Sequence, residues 1–281
     1  MKTLLANPVL IKEVKLRFRS LKSFTGILFY LIAMSIFVFG FIFLTTTISG
    51  SGFFRPDESF ALFTMMTFIQ LGLILFITPG LTAGTISTER EKQTLNMLLT
   101  TSQTSFQIIF GKLTSSVAFL LLMIVSGLPI YSLVFLYGGV SPSQLAVIFV
   151  FYLLTLLTIG SLGVMFSTLL RKTIVSMIVT YGTMIFLTAV TGFFLILSIQ
   201  FSQLGSTGMP SFSPLSYFWA SINPAVVLMS LLQPAVAEEI LAMTAVPLPL
   251  WLGYFVFYAL LAVAAMWLAV KRLRVNMRKY K

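Results

Sequence analysis

The chain has 281 residues, of which 58% are hydrophobic and only 9% are charged, and its net charge is +11. Soluble domains are about half apolar and about a quarter charged, so this composition excludes an ordinary soluble domain and indicates an integral membrane protein. The absence of cysteine and histidine excludes disulfides, thiolate metal sites and histidine-based catalysis.

The first predicted element is an amphipathic helix over residues 7–22. An apolar stripe recurs at helical spacing, at Ile11, Val14, Phe18 and Leu21. A basic stripe follows another face, at Lys12, Lys15, Arg19 and Lys22. This pattern is typical of a helix lying on an anionic membrane surface, with lipid as its partner, and it predicts Lys12, Lys15, Phe18 and Arg19 as the contact residues. The alternative is that these basic residues serve only to orient the chain in the membrane.

Six stretches are long and apolar enough to cross the hydrocarbon core, which takes about 20 residues. They are residues 24–48, 60–86, 105–136, 144–170, 174–199 and 250–270. When the loops between them are assigned to alternate sides, 17 of the 18 basic residues fall on one side. The positive-inside rule therefore predicts that both termini are cytoplasmic. The basic residues are distributed among the loops, which argues against a nucleic-acid-binding face.

The stretch over residues 86–102, ISTEREKQTLNMLLTTS, is the most charged part between the spans. Thr88 and Glu91 have the spacing of a capping box, which predicts a cytoplasmic helix of about three turns starting there. Leu95, Leu98 and Leu99 would form an apolar patch on that helix. Such a patch needs a partner surface, and both the membrane and another protein are candidates.

The segment over residues 200–249 is predicted to be extracytoplasmic. Its apolar stretch 217–235 could be a seventh span, but Pro224 and Pro234 leave only about 14 Å of helix between them. We therefore predict short interfacial or re-entrant helices within 217–235 and again within 235–246. A loosely ordered loop is the alternative.

The sequence contains no recognisable catalytic or nucleotide-binding motif. The stretch FGKLTSS (110–116) contains a Gly-Lys pair but is not a phosphate loop. Upstream of it, Phe106 stands where a phosphate loop needs glycine, and leucine follows the lysine where serine or threonine is needed. The six spans carry no charged residue except Lys112, which we expect to extend toward the interface. This lack of charge argues against ion coupling through carboxylates. We predict that the chain is not an enzyme and binds no cofactor or metal itself.

Two motifs and the six spans resemble the permease subunits of type-2 ABC transporters. The motifs are NPVLIKEVKLRFR at the start and ISTEREKQTLNMLLTTSQTSFQIIFGKL in the middle. The matching positions are Asn7, Pro8, Lys12, Glu13, Glu89, Arg90, Glu91, Thr94, Leu95, Leu98, Leu99, Gly111 and Lys112. The resemblance covers nearly the whole chain, as one permease domain over residues 1–281.

The resemblance implies an all-α integral membrane protein of the bacterial plasma membrane that works as an exporter subunit. It implies a second permease chain, identical or not, and two separate ATP-binding subunits that hold ATP and Mg²⁺. A coupling helix would dock onto those subunits through Glu89, Arg90, Glu91, Thr94, Leu95, Leu98 and Leu99. Short extracytoplasmic helices would precede the last span. The alternatives are an ion-coupled or passive carrier acting alone, and a membrane scaffold or sensor that binds a cytoplasmic protein at 86–102.

The predicted topology can be tested by cysteine labelling, because the chain has no cysteine of its own. Cysteines introduced at Ser206 and Glu238 should react with a membrane-impermeant thiol reagent added outside the cell. Cysteines at Thr94 and Arg274 should not. Labelling of Arg274→Cys from outside would contradict a six-span topology.

Overall fold

The computed structural model of the chain describes residues 8–19, 21–48, 56–95, 97, 103–204, 213–244 and 246–278. The described residues are almost entirely helical, with no strand among them. In chain order the helices are α1 (Pro8–Phe18), α2 (Leu21–Ile48), α3 (Pro56–Thr82), α4 (Ser87–Glu91), α5 (Ser105–Tyr137), α6 (Pro142–Leu169), α7 (Thr173–Ile185), a π-helical segment (Phe186–Val190), α8 (Thr191–Leu204), α9 (Pro214–Ile222), α10 (Pro224–Leu232), α11 (Pro234–Thr244) and α12 (Leu250–Arg278).

Among the described residues, six helices are long and apolar enough to cross a membrane, as the sequence predicts, or seven if the bent pair α9 and α10 counts as one span. The six lie in α2, α3, α5, α6, the continuous run from α7 to α8, and α12, which we call the first to sixth spans. The candidate run that begins in α3 continues through α4 to Glu91. Their sides of the membrane remain predictions. The fourth span is the most enclosed, with 56% of its apolar window buried against 17% for the first. It packs on the second, third, fifth and sixth spans and forms the centre of the bundle.

The described residues between the fifth and sixth spans form three short helices, each starting at a proline: Pro214, Pro224 and Pro234. Proline suits the first helical position because it has no N–H to leave unpaired and its φ is already helical. The α9 and α10 helices meet at an angle of 88°, with Asn223 at the corner. The predicted short helices are therefore present, and their extracytoplasmic position stays a prediction.

The N-terminal amphipathic segment is helical but shorter than predicted. The α1 helix ends at Phe18, and Leu21 already belongs to α2. The predicted apolar stripe is therefore broken: Leu21 is exposed, while Phe18 packs edge-on against Phe119 of α5 with ring centroids 6.4 Å apart. The side chains of Lys12, Lys15 and Arg19 are exposed, and their contact with lipid stays a prediction.

Tyrosine hydroxyls from three spans converge on the second span near its middle. Tyr30 donates to the Gln70 side chain at 2.6 Å, Tyr131 to the Met66 carbonyl at 3.2 Å, and Tyr152 to the Thr67 carbonyl at 2.6 Å. All three tyrosines are buried. A hydroxyl inside an apolar bundle needs a partner, so these bonds fix the second span relative to the first, third and fourth.

The second and fourth spans approach closely because Gly163 has no side chain. A Cβ at that position would collide with the Thr82 hydroxyl and lie 2.9 Å from the Thr82 Cβ. Small residues allow such close packing of spanning helices.

Gly163→Ala should destabilise the bundle by about 1–3 kcal/mol, because the added methyl overpacks the contact with Thr82. Gly40→Ala in the first span is the matched control, since a Cβ there meets nothing within 4 Å. Thermal unfolding of the two purified variants in the same detergent measures the difference. Equal midpoints would mean that the two spans are not held this closely.

Candidate functional site

The charged stretch folds as a single helical turn rather than the predicted three-turn helix. After α4 the chain turns at Lys92 and Gln93, and Gln93 adopts the left-handed φ of 58°. Leu95 and Met97 are again helical. Residues 98–102 lie outside the described part, and with them the predicted contact residues Leu98 and Leu99. The prediction of one continuous helix from Thr88 is wrong, because an α-helix cannot continue through a left-handed residue.

The start of α4 is bound by the fourth span and has no capping box. The hydroxyl of Ser167 accepts hydrogen bonds from the N–H groups of Ile86 and Ser87, both at 2.9 Å. The Thr88 hydroxyl contacts Thr173 instead, so the predicted Thr88–Glu91 capping box is wrong. The unpaired N–H groups at a helix start accept any suitable oxygen, and here a distant serine supplies it.

Glu89 pairs with Lys112, the only charged residue within the predicted spans. The Lys112 ammonium lies 2.6 Å from Glu89 Oε1 and 3.0 Å from Glu13 Oε1 of α1. Lys112 is 4% exposed, so it does not extend to the interface as predicted. Its charge is instead compensated by two carboxylates from different elements, which is what a buried ammonium requires. We call Glu13, Glu89 and Lys112 the charge junction.

Arg90 binds the end of the fourth span. Its two terminal nitrogens donate to the carbonyls of Leu170 and Thr168, each at 2.9 Å. The last carbonyls of a helix have no partner within the helix, and a guanidinium there also suits the helix dipole.

Glu91 binds the start of the fifth span. Its carboxylate accepts a bond from the Thr173 N–H at 2.8 Å and another from the Thr173 hydroxyl at 2.9 Å. A carboxylate at this place satisfies an unpaired N–H and the positive end of the helix dipole.

Three consecutive side chains thus bind three different parts of the bundle. Glu89 reaches α1 and the third span through Lys112, Arg90 reaches the fourth span, and Glu91 reaches the fifth. Since α4 itself follows the second span, this short loop connects five elements. The loop is therefore bound to the third, fourth and fifth spans by at least one side-chain contact each.

The other predicted contact residues are divided between surface and interior. Thr94 is exposed, whereas Leu95 is 2% exposed and packs in the core of the chain. The charge junction includes none of the predicted membrane-contact residues Lys12, Lys15, Phe18 and Arg19. They lie on or next to the same helix as Glu13.

Sequence reasoning missed the roles of Lys112, Glu13, Ser167 and Thr173. A signal existed for Lys112, because a lone lysine in an apolar span needs a carboxylate partner. Thr104 and Gln107 also form a capping box at the start of α5, and its T-x-x-Q pattern directly before an apolar run is visible in the sequence.

The fold and the site define a class of protein: within its described residues the chain is helical, with six helices suited to crossing a membrane and a charge junction at one end of the bundle. A scan against protein-family profiles finds no match, and a search of curated proteins finds none. The resemblance to type-2 ABC permeases therefore rests on the two sequence motifs and the six predicted spans alone.

Lys112→Met should lower the free energy of unfolding by about 3 kcal/mol, because it leaves two carboxylates together without a counter-ion. Both carboxylates keep part of their side chains exposed, 30% for Glu13 and 24% for Glu89, which favours the lower end of the usual range. The combination of Lys112→Met with Glu13→Gln and Glu89→Gln should recover a large share of the loss.

Thermal unfolding in detergent measures these changes, with Lys15→Met as the control, since Lys15 is exposed. If Lys112→Met unfolds like Lys15→Met, the charge junction does not contribute to stability.

Proposed function

We propose that this chain is the membrane subunit of an ATP-driven exporter, and that the loop from Ile86 to Met97 receives the motion of a separate ATP-hydrolysing subunit. The observation that carries the proposal is the set of bonds made by Glu89, Arg90 and Glu91. Through them a single loop is bound to α1 and to the third, fourth and fifth spans. A push on this loop would move several spans together, which is what a coupling element must do.

In this proposal the residues of the loop have two roles, force transmission and docking. Glu89, Arg90, Glu91 and Leu95 bind inward, so in this proposal they transmit force and do not form the contact surface. Lys92 and Thr94 are exposed and Met97 is 74% exposed. We assign the docking contact to these three, a revision of the contact set expected from the resemblance.

The remaining features agree with the same proposal. The only charged residue of the predicted spans, Lys112, is already paired with carboxylates and is not available to bind a coupling ion. The first, fifth and sixth spans have only 17%, 22% and 22% of their apolar windows buried, which leaves surface for lipid and for a second permease chain. The energy source and the nucleotide lie outside this chain, in the bacterial plasma membrane complex that we propose.

Docking and transmission can be separated by two variants. Lys92→Glu combined with Met97→Asp changes the proposed contact surface. It should sharply reduce copurification of the ATP-hydrolysing subunit, with an unchanged unfolding midpoint. Arg90→Gln removes two charge-assisted hydrogen bonds, each worth about 1.5–3 kcal/mol. It should keep copurification but lower ATP-dependent transport by at least about tenfold.

Both variants are compared with the unmodified chain and with Lys15→Met, purified from native membranes in mild detergent. If no ATP-hydrolysing subunit copurifies and vesicles containing the chain alone transport solute without ATP, the chain is a carrier that acts alone. If it binds a cytoplasmic protein but transports nothing, it is a scaffold or sensor. Full transport by Arg90→Gln would show that the loop transmits no force through the fourth span.

A further inference from the structure

The fifth span contains a π-helical segment, Phe186–Val190, between α7 and α8. A π-helical turn holds more residues than an α-helical turn and commonly occurs at functional positions. Here it preserves one buried face, whose residues are Ser176, Thr180, Met184, Leu187, Thr191 and Leu195. In an ideal α-helix the 19 residues from Ser176 to Leu195 make about 5.3 turns, so Leu195 would be rotated by about 100° from Ser176. The extra residue in the π-helical turn offsets this rotation, so that Leu195 lies on the same face as Ser176.

Asn223, at the corner between α9 and α10, binds this segment with its side-chain amide. Its Nδ2 donates to the Thr188 carbonyl at 2.7 Å and to the Thr191 hydroxyl at 2.9 Å. Its Oδ1 meanwhile accepts from the N–H groups of Ala225 and Val226, at 2.9 and 3.1 Å, and so caps α10. Asn223 is 2% exposed. Both polar atoms of the amide are therefore hydrogen-bonded, Nδ2 to the fifth span and Oδ1 to the start of α10.

Close contacts on both sides of Asn223 hold the α9–α10 corner against the fifth and sixth spans. A Cβ on Gly192, next to the π-helical segment, would lie 3.3 Å from Asn223 Nδ2. On the other side, the Tyr258 hydroxyl of the sixth span donates to the Ile222 carbonyl at 3.2 Å, and a Cβ on Gly253 would lie 2.9 Å from the Ser221 Cβ. The corner is thus fitted between the fifth and sixth spans.

The fifth span also joins this corner to the charge-bearing loop. It starts at Thr173, which binds Glu91, and reaches Thr188 after 15 residues, about 22 Å of helix. A displacement at Glu91 would therefore arrive at the π-helical segment along one continuous element.

We propose that Asn223 is a latch that keeps the fifth span in its π-helical register and holds the α9–α10 corner against it. Release of the latch lets the π-helical segment relax toward α-helix, turns α8 relative to α7 and frees the corner to move. The role of this step in opening the bundle rests on the proposed export function. The latch itself does not, and it can be tested without ATP or a partner.

Asn223→Ser separates the two uses of the side chain. Serine caps a helix about as well as asparagine, but it is too short to reach Thr188 and cap α10 at once. Asn223→Ala loses both the cap and the latch. Ser230→Ala is the matched control, because Ser230 is buried on α10 but donates only to Val227 of its own helix. Thr191→Val removes one acceptor of the latch with residue 223 unchanged, and is the second test should Asn223→Ser fail to insert.

Hydrogen exchange followed by mass spectrometry, on the whole chain in detergent, is the measurement. In Asn223→Ser we expect amides of residues 186–192 to exchange at least about tenfold faster, with the start of α10 and the fourth span unchanged. Asn223→Ala should accelerate the start of α10 as well, and Thr191→Val should give a smaller increase confined to 186–192. Ser230→Ala should leave 186–192 as in the native chain.

Two results would overturn the latch. Native exchange at 186–192 in both Asn223→Ser and Thr191→Val would reduce Asn223 to a helix cap. Faster exchange in all spans would make it an ordinary packing residue. Neither result depends on whether the chain binds an ATP-hydrolysing subunit, so failure of the latch and failure of the export proposal are distinguishable.

Discussion

The pairing of one ammonium group, that of Lys112, determines how one end of this bundle is built. A lysine buried between apolar helices is costly unless carboxylates are placed beside it. The two carboxylates come from α1 and from the loop after the second span. The two ion pairs hold α1 and this loop against the third span, which carries Lys112. With Glu89 held there, the next two residues reach the end of the fourth span and the start of the fifth.

The same demand for partners operates on uncharged groups throughout the bundle. Buried tyrosine hydroxyls bind carbonyls or side chains of neighbouring spans, Ser167 binds the N–H groups at the start of α4, and Asn223 binds both α10 and the π-helical segment. Apart from the local cap that Asn223 forms on α10, each of these bonds joins different elements. Helices surrounded by lipid gain little from the hydrophobic effect on packing together, so such bonds and close contacts at glycine determine their relative positions. The fifth span is bound near each end of its α7–π-helical portion, at Thr173 by Glu91 and at Thr188 by Asn223.

The accuracy of the sequence predictions depended on the range of the interactions involved. Hydropathy located the six helices of spanning length among the described residues, and proline located the breaks between the short helices. Prediction from local sequence pattern failed where the expected bond between neighbouring residues was replaced by a bond to a residue distant in the chain. Thr88 and Glu91 have capping-box spacing, yet the hydroxyl of Ser167 binds the start of α4 and Thr173 takes both side chains. At Thr104 and Gln107 the same local pattern does form.

The sequence by itself determined the class of fold: the apolar helices of spanning length, a helix near the start and the proline-started short helices. These follow from composition and periodicity, which act over a few residues. Only the tertiary structure decided that Lys112 pairs with Glu13 and Glu89, that Arg90 and Glu91 bind the ends of two spans, and that Leu95 lies in the core. Those outcomes depend on which groups meet across 23 to 99 residues of chain. The spacing of residues along one helix does not indicate these long-range contacts, because the packing of the whole bundle determines which groups lie next to each other.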